Sequence, residues 1–117
     1  MYITHAPTAA ANSVYGPGAA GVTIQWLLDE TRGAPHFAMR RFVIEPGGHT
    51  PFHRHDWEHE VFVLSGHGVL VSADDETELA AGHATLVAPN EDHQFRAAPD
   101  SHFEFLCLVP NGPATVH

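Results

Sequence analysis

Residues 51–66 read Pro51-Phe-His-Arg-His-Asp-Trp-Glu-His-Glu-Val-Phe-Val-Leu-Ser-Gly66, and this stretch carries both the site and the strand beside it. His53 and His55 are two residues apart, so on an extended chain both rings leave the same face and can close on one ion. His59 follows past Asp56-Trp57-Glu58, where the chain turns into an apolar run with strand character. In that run Val61 and Val63 go with His59, while Phe62 and Leu64 go with Glu60, and both sets are apolar. A lone His-x-His is most simply a surface or structural pair. Three histidines within seven positions, flanked by the turn residues Gly47 and Gly66, point instead to a metal chelate.

Outward from this stretch the chain reads as strands. Val22, Ile24, Trp26 and Leu28 alternate with Thr23, Gln25 and Leu27, the period of a half-buried strand. Residues 36–45, 59–65, 67–73, 76–80, 84–88 and 102–109 are rich in Val, Ile, Phe and Thr and extend the pattern. Turn signals separate them at Pro46-Gly47-Gly48, Gly66-His67-Gly68, Asp74-Asp75, Ala81-Gly82, Pro89-Asn90 and Pro99-Asp100. No apolar 3.6-residue period lasts three turns, so the expected architecture is an all-β sandwich or barrel.

The 117 residues allow one core, because two would each fall near the size that needs disulfides or metals. Residues 1–21, rich in Ala, Gly and Pro without a period, are expected to be a loosely ordered arm; 22–112 form the barrel and 113–117 a tail. The formal net charge of −9, with five Lys plus Arg against 14 Asp plus Glu, argues against a nucleic-acid or anionic-membrane partner. The single Cys107 forms no intrachain disulfide, and the N-terminus carries no signal-peptide pattern, so a cytoplasmic, soluble protein is expected. No lysine is present, which removes Schiff-base chemistry. No Gly-x-Ser-x-Gly elbow occurs either, and Ser65 reads as a hairpin residue. Eleven histidines in so short a chain keep attention on metal binding.

Gly47, five residues, His53-x-His55, His59 and Gly66, followed by Gly82, Pro89 and His93, resembles the two motifs of the cupins. Gly33–Arg40, Glu45–Gly48 and Glu104–Pro110 carry the likeness further, over most of the chain from Val22 onward. The resemblance implies a cupin barrel, a double-stranded β-helix or jelly roll, with one divalent transition metal held in its mouth. It implies His53, His55 and His93 as ligands, with either His59 or Glu60 as the fourth. Counting forward from His55 allows both; counting back from Gly66 selects His59, the arrangement of the four-histidine, manganese-type members. In the second motif Glu91 stands at the family's Gly position, the His comes one residue early and Ala97 replaces the closing Asn, so the turn before His93 must be built differently.

Four neutral imidazoles leave an ion its full charge and exclude structural thiolate zinc. Mn or Fe is favoured, with Cu, Ni or Zn also allowed, since an octahedral or tetragonal ion keeps open positions for dioxygen or a chelating substrate. The expected function is oxidation, dioxygenase-like or peroxide-using, of a small enolisable or unsaturated compound. The alternatives are a metal-dependent isomerase or lyase and a non-catalytic binding module. Phe42, Phe95, Phe103, Phe105 and Val109 are expected to dry the mouth. Behind the metal, Arg40, Cys107 and Phe105 are the candidate catalytic residues. Arg40 either orients an anionic substrate or peroxide or pairs with Glu45 or Glu104. Cys107 is either an oxidisable neighbour of the metal or a buried apolar residue. Glu58 and Glu60 are read as solvated or as partners of His N–H groups. His5, His36, His49, His67, His83, His102 and His117 are read as surface or structural. Phe62, Leu64, Trp26 and Leu28 are expected to form apolar outer faces, and so a homodimer.

Overall fold

The computed structural model describes residues 1–14 and 16–115. The elements in chain order are β1 (Asn12–Ser13), β2 (Ala20–Leu28), β3 (Phe37–His49), β4 (His59–Val71), β5 (Glu76–Ala80), β6 (Ala84–Val87), β7 (Gln94–Ala97) and β8 (Phe103–Pro110), with short 3-10 turns at Ala6–Thr8, Glu30–Arg32 and Pro113–Thr115. All strand pairs are antiparallel, and the fold is a closed all-β barrel. One half runs β1-β2-β3-β8-β4-β6; the other places β7 between β3 and β4, with β5 on the far side of β4.

The two long strands β3 and β4 belong to both halves, and this is where the strand boundaries differ from the sequence reading. Pro46-Gly47-Gly48 and Gly66-His67-Gly68 bend strands without ending them. Gly47 and Gly66 both take φ 74°, open to glycine at little cost, and register shifts beside them mark β-bulges that turn each strand toward the second half. β7 escapes the sequence reading altogether, because four residues are too few for alternation to register.

β8 alternates strictly, with Phe103, Phe105, Cys107 and Val109 inside. They join Ile44, Val61, Val63 and Val87 in the core, where each fully buried large side chain contributes about 1.5–3 kcal/mol. Along β4, His59, Val61 and Val63 face inward, and Glu60, Phe62 and Leu64 face out.

Part of the first 21 residues is tied to β2. Asn12–Ser13 pair with β2, and Gln25 donates from its amide to the carbonyls of Ala6 (2.7 Å) and Ala9 (3.1 Å). The segment covers the outer face of β2, which buries Gln25 and Leu27. Trp26 points the other way and packs against the core, so it is not part of an outer apolar face. At the other end Thr115 is buried; the last tail residues, including His117, lie outside the described residues. Among the described residues no helix is long and apolar enough to cross a membrane.

Candidate metal centre

The loop between β3 and β4 runs back along the segment before β7, and the two are tied together by backbone bonds. His53 and His93 form an isolated antiparallel bridge. Asn90, in the left-handed region at φ 64°, donates its N–H to the His55 carbonyl. The Glu91 carboxylate accepts from Ala88 N–H at 3.1 Å. Asn90 and Glu91 thus build the turn that the departure from the usual second motif required.

These ties gather the imidazoles. One nitrogen from each of His53, His55 and His93 lies within 4.8 Å of the others. The His59 ring centroid is 5.0 Å from that of His93 and 5.2 Å from that of His55. The Glu91 carbonyl lies 2.9 Å from His93 Nδ1, so a proton held there leaves the Nε2 lone pair for an ion. Trp57 stacks on His55 with centroids 4.5 Å apart and planes 4° from parallel, which fixes that ring.

His59 is 7% exposed. Its Nδ1 lies 3.2 Å from Cys107 Sγ and 3.4 Å from Arg40 Nη2, while its Nε2 is buried with no hydrogen-bond partner. A buried polar atom without a partner is costly, and an ion beside Nε2 would relieve it. The close group of His53, His55 and His93 therefore fits a divalent transition metal; His59 lies outside that group, and its Nε2 would join it with the His59 proton on Nδ1.

Burial pushes His53 down to about 4, with repulsion from His55 and His93 adding to it. Burial, then the Arg40 guanidinium, pushes His59 down to about 3. Burial, followed by His93 and Arg40, also lowers His55. These three rings stay neutral near pH 7, the state in which imidazole is a ligand.

Above the imidazoles lies a cavity of about 240 Å³. Phe42, Phe95 and Phe105 form its apolar wall, and Val14 and Ala114 reach it from the two ends of the chain. Phe42 stacks on Phe105 at 5.3 Å and Phe95 lies 4.8 Å from Phe105. Phe103 and Val109, expected at the mouth, sit in the core away from this wall.

Directly opposite pairs bring Trp26, Arg40 and Cys107 into one row across β2, β3 and β8. Arg40 Nη2 donates to Cys107 Sγ at 3.0 Å. The expected pairing of Arg40 with Glu45 or Glu104 is absent among the described residues: Glu104 binds Arg41 and Ser65 instead, and Glu45 is exposed. Glu58 and Glu60 line a separate outer depression with His36 and Phe37. The roles of Trp26 and Trp57 beside the site were missed in the sequence; an indole two residues from His55 was the signal for the second.

The chain matches the Cupin domain family over residues 40–109, and with this barrel and histidine cluster it belongs to the cupins. It is similar to the polyketide cyclase RemF from Streptomyces resistomycificus, with 35% identity over 96% of this chain and 80% of that one and a TM-score of 0.91. A cupin-2 domain protein of Rhodospirillum rubrum shares 26% identity over 95% of this chain and 75% of that one, with a TM-score of 0.84. The 1-methylthio-D-xylulose 5-phosphate methylsulfurylase of R. rubrum is 34% identical over 71 residues, 61% of this chain and 46% of that protein. The chain thus spans about half the length of that curated relative. Relatives of this fold differ in their reactions, so the fold alone does not name one.

Proposed function

We propose that this cupin is a metal-dependent enzyme that closes a ring in a small enolisable polycarbonyl compound of the polyketide kind. The observation that carries it is the cavity itself, an aromatic chamber over four imidazoles in which no carboxylate lines the wall among the described residues. The likeness to a polyketide cyclase over 96% of the chain supports the same reading. His53, His55, His59 and His93 would hold the ion. When bound, it supplies a Lewis acid that polarises a carbonyl and acidifies the adjacent C–H.

The chain's own residues do the remaining work. Neutral imidazoles leave the ion's charge undiminished, in contrast to a site with a carboxylate ligand. Phe42, Phe95 and Phe105 hold a flat substrate and exclude water, which strengthens every electrostatic contact in the chamber. Ring closure joins an α-carbon to a carbonyl carbon of the same chain, and water leaves. Metal-loaded protein given linear triketones should yield a product lighter by one water with no oxygen consumed.

A second reading is oxidation by dioxygen or peroxide at the same ion, and the all-imidazole donor set favours it. Mn or Fe serves this reading, whereas zinc suffices for ring closure. Oxygen uptake tied to substrate loss would replace the first reading with the second, and inertness toward every β-dicarbonyl would overturn both.

We also propose self-association through the outer face of β4 and β6, where Phe62, Leu64 and Leu86 are exposed. Sedimentation at micromolar concentration checks it, since a stable species of one chain's mass contradicts it.

A further inference from the structure

We propose that Arg40 makes the floor of the cavity a binding site for one anionic oxygen of a flat aromatic or conjugated acid, so that the substrate binds ionised, as an enolate, phenolate or carboxylate. This deepens the proposed function by naming the form in which its substrate is taken.

Arg40 is 9% exposed, yet no carboxylate meets it among the described residues. Its hydrogen-bond acceptor there is Cys107 Sγ, through Nη2; His59 Nδ1 lies 3.4 Å from the same nitrogen but does not accept from it when it carries the His59 proton, and Nε is buried without a partner. Every strand packed around it offers rings or sulfur. Trp26 comes from β2, Phe42 from its own strand, Cys107 from β8 and His59 from β4. A buried cation left without a counter-charge is costly unless something arrives to pair with it.

The surroundings also select what arrives. The guanidinium carbon lies 5.0 Å from the Phe42 ring centroid and 5.4 Å from that of Trp26, contacts that stabilise and orient the cation without neutralising it. Arg40 lines the same cavity as Phe105, Phe95 and Ile24. A ligand that satisfies both parts has an apolar planar body and an acidic oxygen directed at Arg40. A small hydrophilic anion would gain the charge and forfeit the walls, and a neutral aromatic would do the reverse.

The test needs no turnover, so ring closure can fail while this site stands, and the reverse also holds. Calorimetry with 1-naphthoate and its uncharged isostere 1-naphthamide is run on the full chain, both zinc-loaded and after chelation, with tryptophan quenching as a second readout. Chelated wild type should bind naphthoate at least about tenfold more tightly than naphthamide, the scale of one charge-assisted contact. Arg40→Met should remove that preference and leave naphthamide within about twofold of wild type. Arg40→Lys should keep part of the preference, and decides the matter should Arg40→Met fail to fold by circular dichroism. In zinc-loaded protein the same substitutions should lower naphthoate affinity by a similar factor. Equal binding of the two probes by chelated wild type overturns the proposal, as does an undiminished naphthoate preference in Arg40→Met. A Cys107→Ser variant that binds naphthoate tenfold more tightly than wild type also overturns it, because the sulfur would then be the resident counter-ion.

Discussion

His53 and His93, forty positions apart, exchange both backbone hydrogen bonds, His53 N–H to the His93 carbonyl at 3.1 Å and His93 N–H to the His53 carbonyl at 2.9 Å. The bridge sets their ring centroids 4.9 Å apart by main chain alone, independently of either ring. His53→Ala or His93→Ala should therefore keep the fold and lose the metal. Elemental analysis of purified protein checks this: near-stoichiometric metal in wild type and little in either variant is expected, and equal metal in all three contradicts the centre.

His59 and Glu60 are adjacent, but the barrel separates them by face. His59 points inward with Nε2 unpartnered, while Glu60 lies on the outer side of β4. His59→Ala should weaken metal binding by at least about tenfold, the lower end of what losing ligand support costs, and Glu60→Gln should leave it near wild type. Titration of Mn and Cu into both variants at fixed pH reads the difference, because ligand protonation otherwise enters the apparent constant. The reverse order would make Glu60 the ligand.

Much of this was legible in the chain for one reason: local alternation and close spacing are local properties. The alternation of β8 from Phe103 to Val109 and the His53-x-His55 spacing are written within a few residues. Alternation did not choose between His59 and Glu60, since both faces of β4 are apolar; the spacing back from Gly66 selected His59, the residue that the barrel turns inward. The row of Trp26, Arg40 and Cys107 depends on register among three strands distant in sequence, which no local pattern encodes. The docking of Ala6 and Ala9 on Gln25 likewise rests on one amide that alternation placed in a half-buried strand.

Metal-free protein should lose stability as pH falls below the ordinary histidine range. His53 is held down to about 4 and His59 to about 3 in the fold, against 6.5 when unfolded. Between those values the unfolded chain binds more protons than the folded one, so stability rises with pH. The contribution is complete above about pH 6.5 and is lost progressively as pH falls toward the folded values. Urea midpoints of chelated wild type and His59→Gln from pH 7.5 to 4.5 measure it. The wild-type decline should be the steeper, and parallel declines would assign the effect to other groups.

Arg54 and Asp92 join the two histidine segments from outside, with Nε to Oδ1 at 3.0 Å and Nη2 to Oδ2 at 3.2 Å. The Arg54 side chain is 62% exposed, so Arg54→Ala should cost less than about 1 kcal/mol of stability. Metal affinity should fall several-fold nonetheless, since the pair steadies His53, His55 and His93. An unchanged metal affinity would reduce it to an ordinary surface ion pair.

Gly66 and Gly82 separate two reasons for a glycine in this barrel. Both take positive φ, 74° and 94°. An added Cβ at Gly82 meets nothing within 4 Å, whereas at Gly66 it collides with the His102 carbonyl, backbone that cannot swing aside. Gly82→Ala should therefore cost only the left-handed conformation, about 1–2 kcal/mol. Gly66→Ala adds a steric clash where β4 pairs with Phe103 of β8, and the total should exceed about 3 kcal/mol, in the range reserved for core disruption. Because the bulge there carries β4 from one half of the barrel to the other, Gly66→Ala should also lower metal retention, and Gly82→Ala should not. Urea denaturation with metal analysis of the folded fraction tests both, and similar losses in the two variants would show that conformation rather than the close approach fixes Gly66.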